Sequence, residues 1–399
     1  MYILQQTLFS FEELMELELK ERLNLFFSAF NLEPFARKLK SLSPQGATGY
    51  CKEGILRALL AAPLVGISTF TALVARLESD IRFRYQCGLG IGKVPSVSTF
   101  SRVFKKIVDL NLAEELFNDL VSECRQKGII EGQVVAIDST PIDAYEEKQP
   151  RKHSKLTGNA DWGCKKDSFG NTITWFGYKL HLAVDTASEL PVAFEVTPAN
   201  INDGDMGPEL IKKVTASIPE KHWPKFYVMD AGYDQSKNYE AARDAFAQAI
   251  IPLNLRNEKI PPEGMNSNGT PICSMGYSMV YWGSDKDTLK FRCPHVVGKV
   301  NCPFGSAWCS NSNYGFVKKV RVTEDPRRYS VPHRESRGWT ELYKQRTSVE
   351  RVNSRLKSYL TANELHVWSI KKVKTHLVIN LIVLLLGALA TSQANKNAA

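Results

Sequence analysis

Uninterrupted apolar runs of the length expected for a membrane span are lacking in this 399-residue sequence. The longest, residues 377–390, falls short of the roughly 20 residues a spanning helix needs, and Asn380 interrupts it. It reads as a buried core helix, and no membrane partner is expected. The first twenty residues lack the basic start and apolar stretch of a secretory leader, carrying Glu12, Glu13, Glu16 and Glu18 instead. Export is therefore not expected, and a cytoplasmic, bacterial setting is. Among the eight cysteines there is no Cys-x-x-Cys pair. In an unexported chain they are expected to stay mostly reduced, as thiols or metal ligands before disulfides.

What is present is ordinary for a globular protein: 43% apolar and 23% charged residues, enough to build a core. The length exceeds what one core usually organises, so two or three domains are expected. A formal charge of +9 creates a positive field that attracts polyanions, nucleic acid above all. Charge alone does not separate a nucleic-acid binder from any other basic protein.

Residues 9–127 carry apolar side chains at helical three and four spacing, so residues 1–130 are expected to form an all-α N-terminal domain. Within it Ser98 is placed to cap a helix whose Phe100, Val103, Phe104 and Ile107 form an apolar stripe. Arg102, Lys105 and Lys106 fall on another face. The breaker-rich stretch at residues 88–95 precedes this helix, so a helix-turn-helix presenting that face to DNA is one reading; a solvated basic face is the other.

At Gly132 the pattern turns to β. Val134, Val135, Ala136 and Ile137 run into Asp138, where the strand is expected to end. Residues 146–166, with Lys148, Arg151, Lys152, His153 and Lys155, read as an exposed basic loop. Strands at 172–184 and 191–196 read as an antiparallel meander. A helix follows Asp203, a strand at 226–229 ends at Asp230, and a helix at 239–246 leads to a strand at 249–253. This order predicts an α/β class, a mixed sheet flanked by helices, and matches an RNase H-like topology. Residues 131–254 are then the first part of a catalytic core. Residues 255–336, with strands at 279–282 and 289–292, form an inserted β-rich, cysteine-containing subdomain. Residues 337–391 return to the core as helices at 340–359 and 370–390, leaving 392–399 as a polar tail.

Asp138 and Asp230 both end apolar strands, where open α/β sheets place reactive groups, although an isolated strand-end aspartate also serves as a turn former or cap. In residues 343–357 a helical period of 3.6 puts Tyr343, Arg346, Glu350 and Lys357 on one stripe. An Arg346 to Glu350 ion pair on a solvated helix would account for part of that pattern.

The spacing Tyr-(2)-Arg-(3)-Glu-(6)-Lys resembles the signature of bacterial insertion-sequence DDE transposases. The resemblance extends to residues 136–141 around Asp138, to the Gly177-Tyr178-Lys179-Leu180-His181 run, and to Asp230-Ala231-Gly232-Tyr233-Asp234. Residues 56–104 are similar to the helical N-terminal domain often found before this core, so the likeness covers most of the chain. It implies a catalytic triad of Asp138, Asp230 and Glu350 holding two Mg²⁺ or Mn²⁺ ions, with Asp138 bridging them. Hard oxygen ligands suit such ions, and two of them support in-line displacement at phosphorus. It further implies that Arg346 and Lys357 hold phosphates and that Tyr343 contacts DNA. The implied partners are double-stranded DNA, as terminal inverted repeats and target, and a second copy of the chain in a homodimer.

Four cysteines, Cys273, Cys293, Cys302 and Cys309, fall inside the insertion, whereas Cys51, Cys87, Cys124 and Cys164 are scattered. Four thiolates would close a structural Zn²⁺ site; unpaired thiols fit the same spacing. Trp282 and Trp308 in this region suit base stacking or a small core. Lys179 and His181 share a strand face and either point toward the acids or satisfy structural hydrogen bonds.

Overall fold

A computed structural model describes residues 17–40, 49–90, 92–148, 159–166, 170–255, 260–285 and 287–398. Two compact units divide the chain. One comprises Met1–Glu131, Ser139–Ile201 and Val349–Ala399, the other Gly132–Asp138 and Asn202–Ser348.

The first unit opens with helices: α1 (Leu19–Ala29), α2 (Glu33–Lys38), α3 (Lys52–Leu64), α4 (Phe70–Ser79), α5 (Ile81–Gln86), α6 (Val97–Asp109) and α7 (Leu112–Gln126). Local chemistry sets several starts. Thr69 accepts the Ala72 N–H at 3.1 Å to cap α4, and Asp80 accepts the Phe83 N–H at 2.9 Å to cap α5. The stripe of Phe100, Val103, Phe104 and Ile107 on α6 is buried as expected. Its cap is Ser96, two residues before the expected Ser98, because the helix already begins at Val97.

The long helix α12 (Ile370–Ala398) is the spine of this unit and continues eight residues past the expected end at 390. It packs against α1, α3, α7 and a strand, β4 (Leu190–Pro198). By length and apolarity it would suffice to cross a membrane, yet 78% of its most apolar window is buried in the protein. Asn380 does not break it: its Oδ1 accepts the Thr361 N–H at 3.0 Å and its Nδ2 donates to the His376 carbonyl at 2.9 Å. A polar group buried this way is satisfied and costs little.

The same unit contains β2 (Asp161–Lys166) and β3 (Thr172–Asp185). β3 pairs antiparallel with β2 over residues 172–177 and with β4 over 178–185. The strand β2 corrects the expectation of a loop through residue 166: pairing with β3 overrides a polar local sequence. Arg151, Lys152, His153 and Lys155 lie outside the described residues. Gly177 is required here, since a Cβ would sit 2.1 Å from the Ile142 carbonyl oxygen.

β1 (Val134–Asp143) belongs to both units. Its first half lies in the second unit, where residues 134–137 pair in parallel with β5 (Phe226–Met229), which pairs in parallel with β6 (Gln248–Ile250). It does not end at Asp138 but runs five residues further. The strand order is β2-β3-β1-β5-β6, with β4 also on β3, giving a mixed α/β sheet.

In the second unit, α8 (Asp203–Ala216) packs on α9 (Ser236–Asp244), and α9 on β6. A separate antiparallel sheet, β7 (Val280–Asp285), β8 (Thr288–Arg292) and β9 (Val317–Arg321), has its own core of Met279, Leu289, Phe291, Val320 and Tyr329. β9 was not expected because Val-Lys-Lys-Val-Arg lacks clean alternation; its pairing with β8 supplies the order.

The single helix expected at 340–359 is two: α10 (Arg337–Lys344) and α11 (Thr347–Ser358). At the junction Gln345 and Arg346 donate to Leu342 and Tyr343, three residues back, and Ser348 donates to Gln345. Three-residue bonds tighten the backbone and end one helix before the next starts.

Candidate active site

Val135, Ala136 and Ile137 are fully buried, and Asp138 follows them half-buried. Ile137 is paired in register with Met229 on the neighbouring parallel strand. Asp138 and Asp230 are therefore the next residues on adjacent strands running the same way. Asp230 leaves β5 by capping a turn, its Oδ1 accepting the Gly232 N–H at 2.8 Å.

A third acid belongs to this cluster. Asp203 opens α8, after Asn202, whose side chain accepts the Gly204 N–H at 3.2 Å. The start of α8 is pressed against the loop after Asp230: a Cβ on Gly204 would lie 2.2 Å from Gln235 Nε2 and 3.0 Å from the Gly232 carbonyl oxygen. Asn238 fastens the two segments, donating to the carbonyls of Gly204 at 3.1 Å and Tyr233 at 2.7 Å. Sequence reasoning used Asp203 only to mark a helix start; an acid in the first turn of a helix after a buried strand was the available signal.

Tyr233 lies in this cluster, fully buried, with a hydroxyl that has no hydrogen-bond partner among the described residues. Burial, then the charges of Asp138, Asp203 and Asp230, hold its phenol well above the usual range. Burial likewise raises Asp230; the Gly232 N–H opposes it, the Asp203 charge adds to it, and the Arg346 charge opposes it again. Thus Asp138, Asp203 and Asp230 share one environment, and Arg346 acts on the last of them. Arg346 stands 5.7 Å from the ring of Tyr343, which is itself stacked on Trp339 with centroids 4.9 Å apart.

Asp234, the last acid of the Asp230 motif, is structural. It is buried and accepts from Tyr239 Oη at 2.7 Å, the Asn254 N–H at 2.8 Å and Arg327 Nε at 2.9 Å. Arg334 extends this network by donating to Tyr239 Oη at 2.9 Å and to the Ile251 carbonyl at 3.0 Å. These bonds anchor the loop that carries Asp230 to the segments around it.

Glu350 lies in the first turn of α11, exposed, and belongs to the other compact unit. Lys357, on the same helix, donates from Nζ to the Pro141 carbonyl at 2.6 Å. Also in that unit, Lys179 donates to the Ile201 carbonyl at 2.8 Å, and the buried His181 shares a 2.9 Å hydrogen bond with Thr197. Of the three basic residues expected on α6, Arg102 is exposed and Lys105 pairs with Asp109. Lys106 donates to the carbonyls of Leu39 and Lys40, capping the end of α2. Trp282 and Trp308 are both largely exposed and lie outside the small core of the β7–β9 sheet.

Among the described residues, no three His, Cys, Asp or Glu side chains stand in ligand geometry for a metal ion. The chemistry of the acids nevertheless fits a hard divalent cation. Burial first, and with it the charge of the neighbouring acids, raises the proton affinity of Asp230 and Tyr233, and a bound cation would offset the charge part of that cost.

Residues 130–386 match the family model described as transposase DDE domain, and residues 11–106 match that described as transposase domain (DUF772). No curated protein matches the chain at a significant level. Among solved structures, the chain is similar to the piggyBac transposase synaptic complex with hairpin DNA, at 11% identity over 94% of this chain and 75% of that one. The TM-score is 0.39, too low to carry an argument. With more than half of its length matched, the chain belongs to the transposase DDE domain family and is a DNA transposase, an enzyme that cuts DNA.

Proposed function

We propose that this transposase cuts the terminal repeats of an insertion sequence and joins them to target DNA at a triad of Asp138, Asp230 and Glu350. The observation that carries the reading is the parallel register of β1 and β5, which ends at Ile137 and Met229 and sets Asp138 beside Asp230. Arg346 acts on the charge of Asp230, and Glu350 completes the triad by the family signature it shares with Arg346. The strand order supports an RNase H-like core.

The acids are proposed to hold two Mg²⁺ or Mn²⁺ ions. Bound divalent ions supply activation of the attacking oxygen and neutralisation of charge at phosphorus. The chain's own residues do the rest. Arg346 and Lys357 grip phosphates flanking the scissile bond, the first as a planar fork and the second as a point charge. Tyr343, stacked on Trp339, offers a rigid surface and a hydroxyl to DNA. Arg102 and Lys105 on α6 would contact backbone phosphate, whereas Lys106 is engaged within the protein. Two element ends must meet in one complex, which favours a homodimer on DNA.

The test is a strand-transfer assay with purified protein, DNA carrying the element ends, a target plasmid and Mg²⁺ or Mn²⁺. Joined products that disappear in Asp138→Asn, with DNA binding retained, are expected. Cut ends without joining would make the protein a nuclease, and unchanged products from Asp138→Asn would remove the triad.

A further inference from the structure

The turn between β3 and β4 carries a glutamate in a backbone conformation that glutamate disfavours. Glu189 has φ +55°, in the left-handed region that suits glycine or asparagine. Bonds within the turn hold it there. Its N–H donates to the Asp185 carbonyl at 2.9 Å. The fully buried Asp185 closes the turn with its side chain, accepting from the Ser188 N–H at 3.0 Å and the Ser188 hydroxyl at 2.7 Å.

From this fixed position both carboxylate oxygens of Glu189 meet α11. Oε1 accepts from Arg351 Nε at 2.5 Å, and Oε2 stands 2.6 Å from Arg355 Nη1. The two arginines are one helical turn apart and so share a face of the helix. The Glu189 and Arg355 side chains are 9% and 13% exposed, whereas that of Arg351 is 51% exposed. All three residues belong to the same compact unit.

A largely buried ion cluster adds little net stability, because desolvation offsets the attraction; its best-attested use is to fix register. The buried apolar side chains of α11, Val349, Val352 and Leu356, make non-directional contacts that tolerate a helix turned or shifted along its axis. Planar guanidinium forks on one carboxylate do not tolerate it. A slip of one residue moves a side chain about 1.5 Å along the axis and about 100° around it. That displacement would part both arginines from Glu189.

Glu350 directly precedes Arg351, so the contact that fixes one fixes the other. We propose that Glu189 is a positioning residue for the transposase reaction: by holding Arg351 and Arg355 it sets the place of the Glu350 carboxylate. The inference rests on the triad proposed above. In this role Glu189 acts through the helix, not on DNA or on the cations. The effect is expected to be large, since misplacing a reacting group by about 1 Å can cost about 100-fold in rate.

The experiment measures cleavage of DNA carrying the element ends by full-length Glu189→Gln, Arg351→Gln and Glu350→Gln over a range of Mn²⁺ concentrations. For Glu189→Gln the rate at saturating DNA and Mn²⁺ should fall about 10- to 100-fold. Its half-saturating Mn²⁺ concentration should rise severalfold, while DNA affinity without metal stays at the wild-type value. Arg351→Gln removes the more exposed half of the contact and should shift both quantities less, in the same direction. Loss of folded protein alone would lower the rate and leave the half-saturating Mn²⁺ concentration unchanged. That result would make Glu189 a structural residue only and overturn the proposal, as would wild-type rate and Mn²⁺ dependence. Should Glu189→Gln fail to fold, Arg351→Gln decides by the same two readouts. Wild-type cleavage by Glu350→Gln would remove the triad and this inference together. An inactive Glu350→Gln beside a normal Glu189→Gln would remove this inference alone.

Discussion

The Nζ of Lys357 donates to the carbonyl oxygen of Pro141, three residues beyond Asp138 on the same strand. Burial, then the nearby Lys165, lowers the affinity of this ammonium for its proton, and Asp143 partly restores it. A cation held in this way is positioned before any DNA arrives. Lys357→Ala should reduce cleavage roughly 10- to 100-fold and lower the salt slope of DNA binding by about one. Lys357→Arg should rescue binding better than cleavage, because a planar fork does not replace a point charge. Cleavage and salt dependence equal to wild type would remove Lys357 from the phosphate contact.

Asp203 shares its surroundings with Asp138 and Asp230, so it should contribute to cation affinity. Asp203→Asn is expected to weaken Mn²⁺ binding about tenfold, by the loss of about 1.4 kcal/mol of charge attraction. Titration calorimetry without DNA reads this directly. Affinity equal to wild type would leave Asp203 as a helix-start residue only.

The Asp234–Arg327 pair should matter for stability more than for chemistry. Removing one partner of a buried pair typically costs about 3–5 kcal/mol, because the other charge is left uncompensated. Arg327 is slightly exposed at 17%, so the lower part of that range is expected for Asp234→Ala. Urea denaturation measures it, and a midpoint within error of wild type would contradict the assignment.

His333 gives a signed pH dependence. It is fully buried, shares a 3.3 Å hydrogen bond with Thr270 and stacks on Tyr281. Burial first, opposed by Glu335 and assisted by Arg334, pushes its pKa down to about 4. The folded value lies below the unfolded one, so the neutral ring's contribution is complete above about pH 6.5 and is lost as pH falls toward 4. Stability should drop by up to about 3 kcal/mol across that window. Urea midpoints from pH 7.5 to 4.5 should fall less steeply for His333→Gln; equal slopes would mean another group titrates.

Much of the local structure was readable beforehand. The run Phe226 to Met229 is apolar and closes on an acid, and β5 occupies those residues. The stripe on α6 follows from spacing of three and four. Where the reading failed, a nonlocal contact outweighed the local pattern. Asp138 looked like the end of β1 because an acid followed an apolar run, but the strand continues to Asp143, past Gly177, whose missing side chain leaves room for it. β2 is polar enough to pass for a loop and exists because β3 pairs with it. Helix periodicity joined residues 340–359 without a sign of the three-residue bonds that divide them at Gln345 and Arg346.

Residue type and spacing, through their likeness to a family signature, marked which acids to suspect, and hard carboxylates imply divalent cations. Tertiary structure decided that Asp203 joins Asp138 and Asp230 around the buried Tyr233, that Asp234 is an anchor, and that Lys106 serves the fold. The reason is range. Periodicity and capping act over a few successive residues, whereas the charge one side chain feels, and the carbonyl a lysine reaches, depend on segments that folding brings together from distant parts of the chain.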